Sequence, residues 1–356
     1  MKSLLSKELE LADSSHARLP GRITHLVLNR ATSPYHFLHE CSLVHFRDRF
    51  YTAWNACGKS ESDRETVIRW TSWDEMFRKN DGLREIRPAL RIDDVTNWES
   101  CQLFEYRSSL YALVGQVHCQ PHDPVDNGSR TVLFRLMENK LSWEEVCSVA
   151  GFQPLNPPIS LPDGRLLCGG EFNLHEPRVM ISASSDLTCW RVIPLSCSSS
   201  AVPMFPETAL MPIRNGIRAF VRSGNHGLLT ADSTDGEHWE MLDSVDFPAS
   251  SSKMCAGRLS SGEGYLILNS PSADLPDTRS WLRILLTEPG RDTFCRQVTI
   301  RNSRSPLCRD GRSHSQWSYP CAVEFGDSFY VAYSISKEDY GLSILPLSEL
   351  QTINSD

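Results

Sequence analysis

With 356 residues, 40% of them hydrophobic, the chain has material for one large or two ordinary domains around a substantial core. A net charge of -8, with lysines and arginines scattered instead of gathered in a run, excludes nucleic acid as the main partner. No apolar run is long enough to span a bilayer, and Met1 to Leu11 lacks the sustained apolar stretch of a secretory signal, so the expectation is a cytoplasmic protein with no membrane partner.

Residues 1–21 are polar and read as an N-terminal arm, loose or briefly helical, that ends near Pro20. Arg22 to Asn29 reads as a lone strand. From there on a hairpin pattern recurs, clearest at Trp317 to Ser334. There Ala322, Val323 and Phe325 precede a Gly326-Asp327 turn, and Phe329 to Tyr333 follow it with aromatic and β-branched residues suited to strands. Glu40 to Trp54 repeats it without a gap: Phe46, Phe50 and Tyr51 match Phe325, Phe329 and Tyr330. Ser100 to Val114 is a third copy, and weaker ones start near Asn156, Glu207 and Met254.

A spacing of roughly 45 to 65 residues is the period of four-stranded propeller blades. Helical solenoids share such periods, but strand-like runs here alternate with Gly, Asn and Asp turns and no long 3.6-residue apolar pattern joins them. The expected fold is all-β: one six-bladed β-propeller over 22–356. The blades run about 37–77, 98–147, 152–194, 204–243, 251–300 and from there to the end. The last copy has only about three strands, so the Ile23 to Leu28 strand is expected to complete it and leave no open sheet edge.

Twelve cysteines include no Cys-x-x-Cys pair, and Cys168, Cys255 and Cys321 sit inside apolar runs, so buried free thiols are expected. His118, His122, Asp123 and Asp126 share a long loop, but their spacing matches no defined metal site. No phosphate loop or nucleophile elbow is present, and no cofactor or metal is expected.

A second signature closes two blades. Ser233-Thr-Asp-Gly-Glu-His-Trp239 and Ser184-Ser-Asp-Leu-Thr-Cys-Trp190 share Ser-x-Asp-x-x-x-Trp, with a decayed relative at Thr71-Ser-Trp-Asp74. Its chemistry is structural: Asp and Ser bond the turn backbone, Gly permits its conformation and Trp packs between strands. Counting back from each hairpin turn also places Glu40, Ser100, Asn156, Glu207, Met254 and Tyr319 in one register, give or take one residue. That position is the entry of an inner strand, where six such residues ring a central pocket.

Asp boxes on a six-bladed repeat resemble the sialidase superfamily, over about 22–348. The resemblance implies a glycan substrate and a site. Tyr319, at the start of the last blade, matches the nucleophile, and Glu207 matches its base; a phenol attacks an oxocarbenium-like carbon well only when a carboxylate takes its proton. Arg222 matches one arginine of the substrate-carboxylate grip, and Arg279 or Arg283 falls where the next blade's would be. The chain departs from the pattern at blade one, where Leu38-His39-Glu40-Cys41 replaces the expected Arg-Ile-Pro. His39 there is similar to the branch acting on uronate-containing glycans and is a candidate acid or base; Asp63 is the loose counterpart of the family's acid. The resemblance implies three functions: a sialidase-like exo-glycosidase acting on a terminal acidic sugar, a polysaccharide lyase or rhamnosyl-glucuronate-type enzyme acting on uronate-containing glycans, or a sugar-binding propeller without chemistry. Oligomeric state is not written in these patterns.

Overall fold

The structure, a computed structural model, describes residues 4–7, 9, 19–60, 66–86, 96–118, 129–183, 185, 187–199, 201–224, 227–271, 279–309 and 315–351. Their strands form six antiparallel sheets in a ring. Blade one comprises Phe37–Phe46, Arg49–Cys57, Val67–Asp74 and the short edge strand Arg84–Ile86, so it extends past the expected end near 77. Blade two comprises Thr96–Tyr106, Ser109–His118, Arg130–Met137 and Ser142–Ala150. Blade three is the least regular: Gln153–Pro154 and Ile159–Ser160 both pair Leu166–Phe172, which is followed by Glu176–Ser182 and Trp190–Pro194. Blade four runs from Pro203–Ile213 to Asp243–Val245 and blade five from Cys255–Arg258 to Phe294–Asn302. In blade six Trp317–Phe325, Ser328–Ile335 and Asp339–Pro346 are completed by Thr24–Asn29, which is the expected closure.

The core is divided among the seams between blades. Each of six buried clusters joins two neighbouring blades. The physical reason is the two-residue period of a strand whose faces are both covered. In Arg49–Cys57, Phe50 and Trp54 face the seam with blade six, whereas Tyr51 and Ala53 face the seam with blade two. The strands therefore read as nearly continuous apolar runs.

The polar arm is partly docked. Leu4 is buried in the seam of blades four and five, and Leu4 to Ser6 bracket Phe294 through two backbone hydrogen bonds of 2.8 Å each. A loose arm is thus not what Leu4 to Ser6 form, because their leucines have an apolar edge to cover. The one helix among the described residues, Leu347–Gln351, is too short to cross a membrane. It holds the N-terminal strand from the other side: Glu349 accepts from the Gly21 amide at 2.9 Å.

The Asp box at Ser233 to Trp239 works as its chemistry requires. The Ser233 hydroxyl accepts from the Gly236 amide at 2.9 Å, and the Asp235 carboxylate accepts from the Glu237 and His238 amides at 2.8 Å each. Gly236 takes φ 78°, and the Trp239 indole donates to its carbonyl at 3.0 Å. In the degenerate copy Ser184 and Asp186 lie outside the described residues, but the Trp190 indole makes the matching bond to the Leu187 carbonyl at 2.7 Å. Thr71 to Asp74 lies within the strand Val67–Asp74 and forms no such turn; its Trp73 indole donates to the Thr52 hydroxyl instead.

Candidate active site

The inner strands begin at a central cavity of about 530 Å³, and irregular pairing aims side chains into it. In blade one the register shifts between His39 and Ser42; in blade six it shifts between Ser318 and Cys321. Two residues there oppose one, a β-bulge that redirects the chain. Glu40 and Tyr319 hold the same place in the two bulges and both adopt positive φ, 52° and 58°. For residues with a Cβ such a conformation costs on the order of 1–3 kcal/mol and persists only where the surroundings enforce it. Blade two bulges out Glu99, between Trp98 and Ser100. Blade four has a wider irregularity between Pro203 and Thr208, which carries Phe205 at φ 49° and Glu207.

Tyr319 is 5% exposed and lies among cations. The His39 ring packs on it at 3.9 Å between centroids, while Lys337, Lys253 and Arg279 lie 5.3, 5.8 and 5.8 Å from its ring centre. Such contacts draw the charges to the ring face. Arg222 donates to Glu207 at 2.9 Å and lies over the Phe205 ring at 5.1 Å. Burial works against its charge, but Glu207 and Tyr319 outweigh that and hold the guanidinium firmly protonated. Arg279 is fixed by the Gln316 side chain at 2.7 Å and the Ser251 carbonyl at 2.8 Å.

Glu40 is paired in the dark with Lys253, Nζ to Oε2 2.5 Å, at 2% and 1% exposure respectively. Burial pushes its carboxyl up to about 7, only partly offset by Lys253, and Glu207 adds to the rise. A lysine from blade five thus neutralises the acid that stands where the sequence pattern leads one to expect an arginine. Glu99 accepts from Gln153 at 3.2 Å. Glu171 completes the wall at 3% exposure.

The cavity therefore brings together Tyr319, Glu207, His39, Glu40, Arg222 and Arg279. Two expected residues stand elsewhere. Arg283 is fully buried in the third strand of blade five, where it donates to Gln297 at 3.0 Å and lies 4.4 Å from the centre of the Trp281 ring; burial lowers its pKa to about 10. Arg279 precedes that strand and so reaches the cavity. Asn156 is a strut, donating at 3.0 Å to the Thr208 carbonyl across the blade three and four seam. Asp63 lies outside the described residues, as do His122, Asp123, Asp126 and the His118 side chain. Sequence counting missed Glu99, Gln153, Glu171, Lys253 and Lys337. Glu99 and Lys253 sit one residue before the counted Ser100 and Met254; in blade two the bulge at Glu99 moves the inward position by one, and Lys253 precedes the first strand of blade five. Just beyond these positions the inner strands turn apolar, with buried Cys41, Cys101, Cys255 and Cys321, whose thiols burial pushes up. Among the described residues no cluster of metal-ligating side chains occurs.

A closed ring of six antiparallel blades with an Asp-box turn and a polar cavity at its centre defines a sialidase-type propeller. Residues 152–331 match the BNR repeat-like domain, half of the sequence, and the chain belongs to that family, within the sialidase superfamily. Among solved structures, a sialidase of Trypanosoma rangeli superposes with a TM-score of 0.71 at 12% identity, over 94% of this chain and 61% of that one. The NanB sialidase of Streptococcus pneumoniae gives 0.66 at 11%, over 91% and 71%. The leech intramolecular trans-sialidase gives 0.68 at 10%, over 92% and 71%. No curated protein is significantly similar in sequence.

Proposed function

We propose that the protein is an exo-acting glycoside hydrolase that releases a terminal acidic sugar from a glycan, through Tyr319 as nucleophile and Glu207 as its base. The observation that carries this reading is the placement of both residues at one cavity, within electrostatic reach of the same arginine, Arg222. The neighbouring solved structures include a sialidase with sialic acid bound, which supports a glycan partner. Arg222 and Arg279 grip the sugar carboxylate, a task for which planar guanidinium forks are suited. Glu40 reads as part of the scaffold beneath the sugar, since Lys253 occupies it, and a sugar with hydroxyl groups toward blade one suits this site better than one needing a third arginine. His39 lies against Tyr319 and supports its ring; it and Asp63 are the acids that the sequence suggests.

The test is a panel of sialylated and uronate-containing oligosaccharides, followed by released monosaccharide and ultraviolet absorbance. Release of an acidic sugar without absorbance is the expected result. The contact of His39 with Tyr319 favours a second reading, elimination beside a uronate with His39 as base, Tyr319 as proton donor and Arg222 facing the carboxylate. An unsaturated, absorbing product would establish that instead. Silence in both channels with glycan binding retained would leave a binding propeller.

A further inference from the structure

We infer that Glu171 is the proton donor to the leaving-group oxygen, set on the wall of the cavity that faces Tyr319 across the ring; this rests on the hydrolase reading above. Glu171 belongs to blade three and Tyr319 to blade six, and in a closed ring of six these blades stand opposite each other. A glycosidase that works through a covalent intermediate needs that disposition: the nucleophile approaches one side of the anomeric carbon, and the acid meets the departing oxygen on the other.

The local sequence is built to bring the carboxyl there. Glu171 follows Gly169 and Gly170, and both glycines are required by close approach. A Cβ on Gly169 would meet the Thr208 carbonyl oxygen at 2.4 Å, and one on Gly170 would meet the Gln153 carbonyl oxygen at 2.1 Å. Without side chains at these two positions the strand presses against the inner strand of blade four, next to Glu207, and against Gln153. The carboxyl is almost wholly buried yet lines the cavity, and its Oε2 has no hydrogen-bond partner among the described residues. A buried polar atom left open costs about 1–3 kcal/mol, and a glycosidic oxygen in the cavity would satisfy a protonated Oε2.

The surroundings favour that protonated form. Burial comes first, then the charges of Glu207, Glu99 and Glu40, which together push the carboxyl well above the usual range against the pull of Arg222. His39, Arg279 and Tyr319, together with His175 from the turn after the same strand and Lys337 from blade six, are the further titratable groups on the cavity wall. The proton balance closes. As the bond from the anomeric carbon to the glycosidic oxygen breaks, that oxygen takes the Glu171 proton; the Tyr319 oxygen bonds to the carbon and gives its proton to Glu207. Water then bonds to the carbon and yields a proton to the Glu171 carboxylate, and the departing Tyr319 oxygen recovers its proton from Glu207.

The experiment compares wild type with Glu171→Gln on two glycosides of one acidic sugar, an oligosaccharide with a sugar alcohol as leaving group and its 4-nitrophenyl counterpart. The second needs little protonation. The expected result is a fall of about 100-fold or more on the oligosaccharide, the range of general acid catalysis, and a fall of less than about tenfold on the aryl glycoside. A component of the infrared band of protonated carboxyls at neutral pH, present in wild type and lost from the variant while the share of Glu40 stays, is expected alongside. Equal losses on both substrates, unchanged turnover, or no such component would overturn the role of Glu171 while leaving the hydrolase reading intact. A wild-type protein inert on every glycoside, that component present, would overturn the hydrolase reading and the catalytic role with it.

Discussion

The bulges of blades one and six use one backbone device for two ends. Both place a residue at the mouth of an inner strand, in the same register and with nearly the same positive φ. In blade one that residue is Glu40, drawn into a buried ion pair with Lys253. In blade six it is Tyr319, whose ring meets His39 and three cations at the cavity. The backbone decides where the side chain stands, and the partner decides what it does. A repeated fold can therefore carry a strained inward position in several blades and spend it on support in one and chemistry in another.

The largest expected effect breaks the blade-one half of this comparison. Glu40→Ala strands a buried ammonium and should destabilise the fold by about 3–5 kcal/mol, read from urea unfolding. The double change Glu40→Leu with Lys253→Met should recover most of that loss, because a packed apolar pair avoids the desolvation of two charges. The pH dependence sharpens the same point. Folded Glu40 titrates near 7, above its ordinary 4.5, so between these values the folded state holds more protons than the unfolded. Its contribution is complete below about pH 4.5 and is lost as pH rises through about 7; the part of the slope due to Glu40 should vanish in the double variant.

Blade six is expected to respond in rate, not in stability. Tyr319→Phe should lower turnover at least about 100-fold, about 2.7 kcal/mol of transition-state stabilisation, with the unfolding free energy within about 1 kcal/mol of wild type. A large drop in stability with normal turnover would reverse the roles assigned to the two bulges. The smallest effect lies at the rim, where Gly236→Ala in the Asp box forces a Cβ onto φ 78° and toward Leu167. A loss of about 1 kcal/mol in the unfolding free energy is expected, without change in glycan turnover.

The register of the site was legible wherever hairpin turns could be counted. Glu40 and Tyr319 follow from the distance to a turn because blades one and six carry the same bulge at the same place, so equal counts reach equivalent positions; Glu207 lies at the wider irregularity of blade four. Counting was off by one in two blades: in blade two the inserted Glu99 takes the inward place of Ser100, and Lys253, just before the first strand of blade five, stands one residue before Met254. Blade three defeated it altogether. Its two short first strands both pair Leu166–Phe172, so Asn156 falls at the seam and Glu171, from the following strand, takes the place at the cavity.

The sequence alone determined the repeat, and the repeat determined the ring. Strands with two apolar faces must be covered on both sides, six copies provide six seams, and an orphan strand near the start must pair the incomplete copy near the end. Which charges meet at the centre was decided only by tertiary structure. Glu40 and Lys253 are 213 residues apart in the chain, and no local pattern couples an acid in blade one to a lysine before blade five; closure of the ring brings them within 2.5 Å. The same closure sets Arg279 rather than Arg283 at the cavity, since a residue preceding a strand can reach the axis while one inside it is held in the seam.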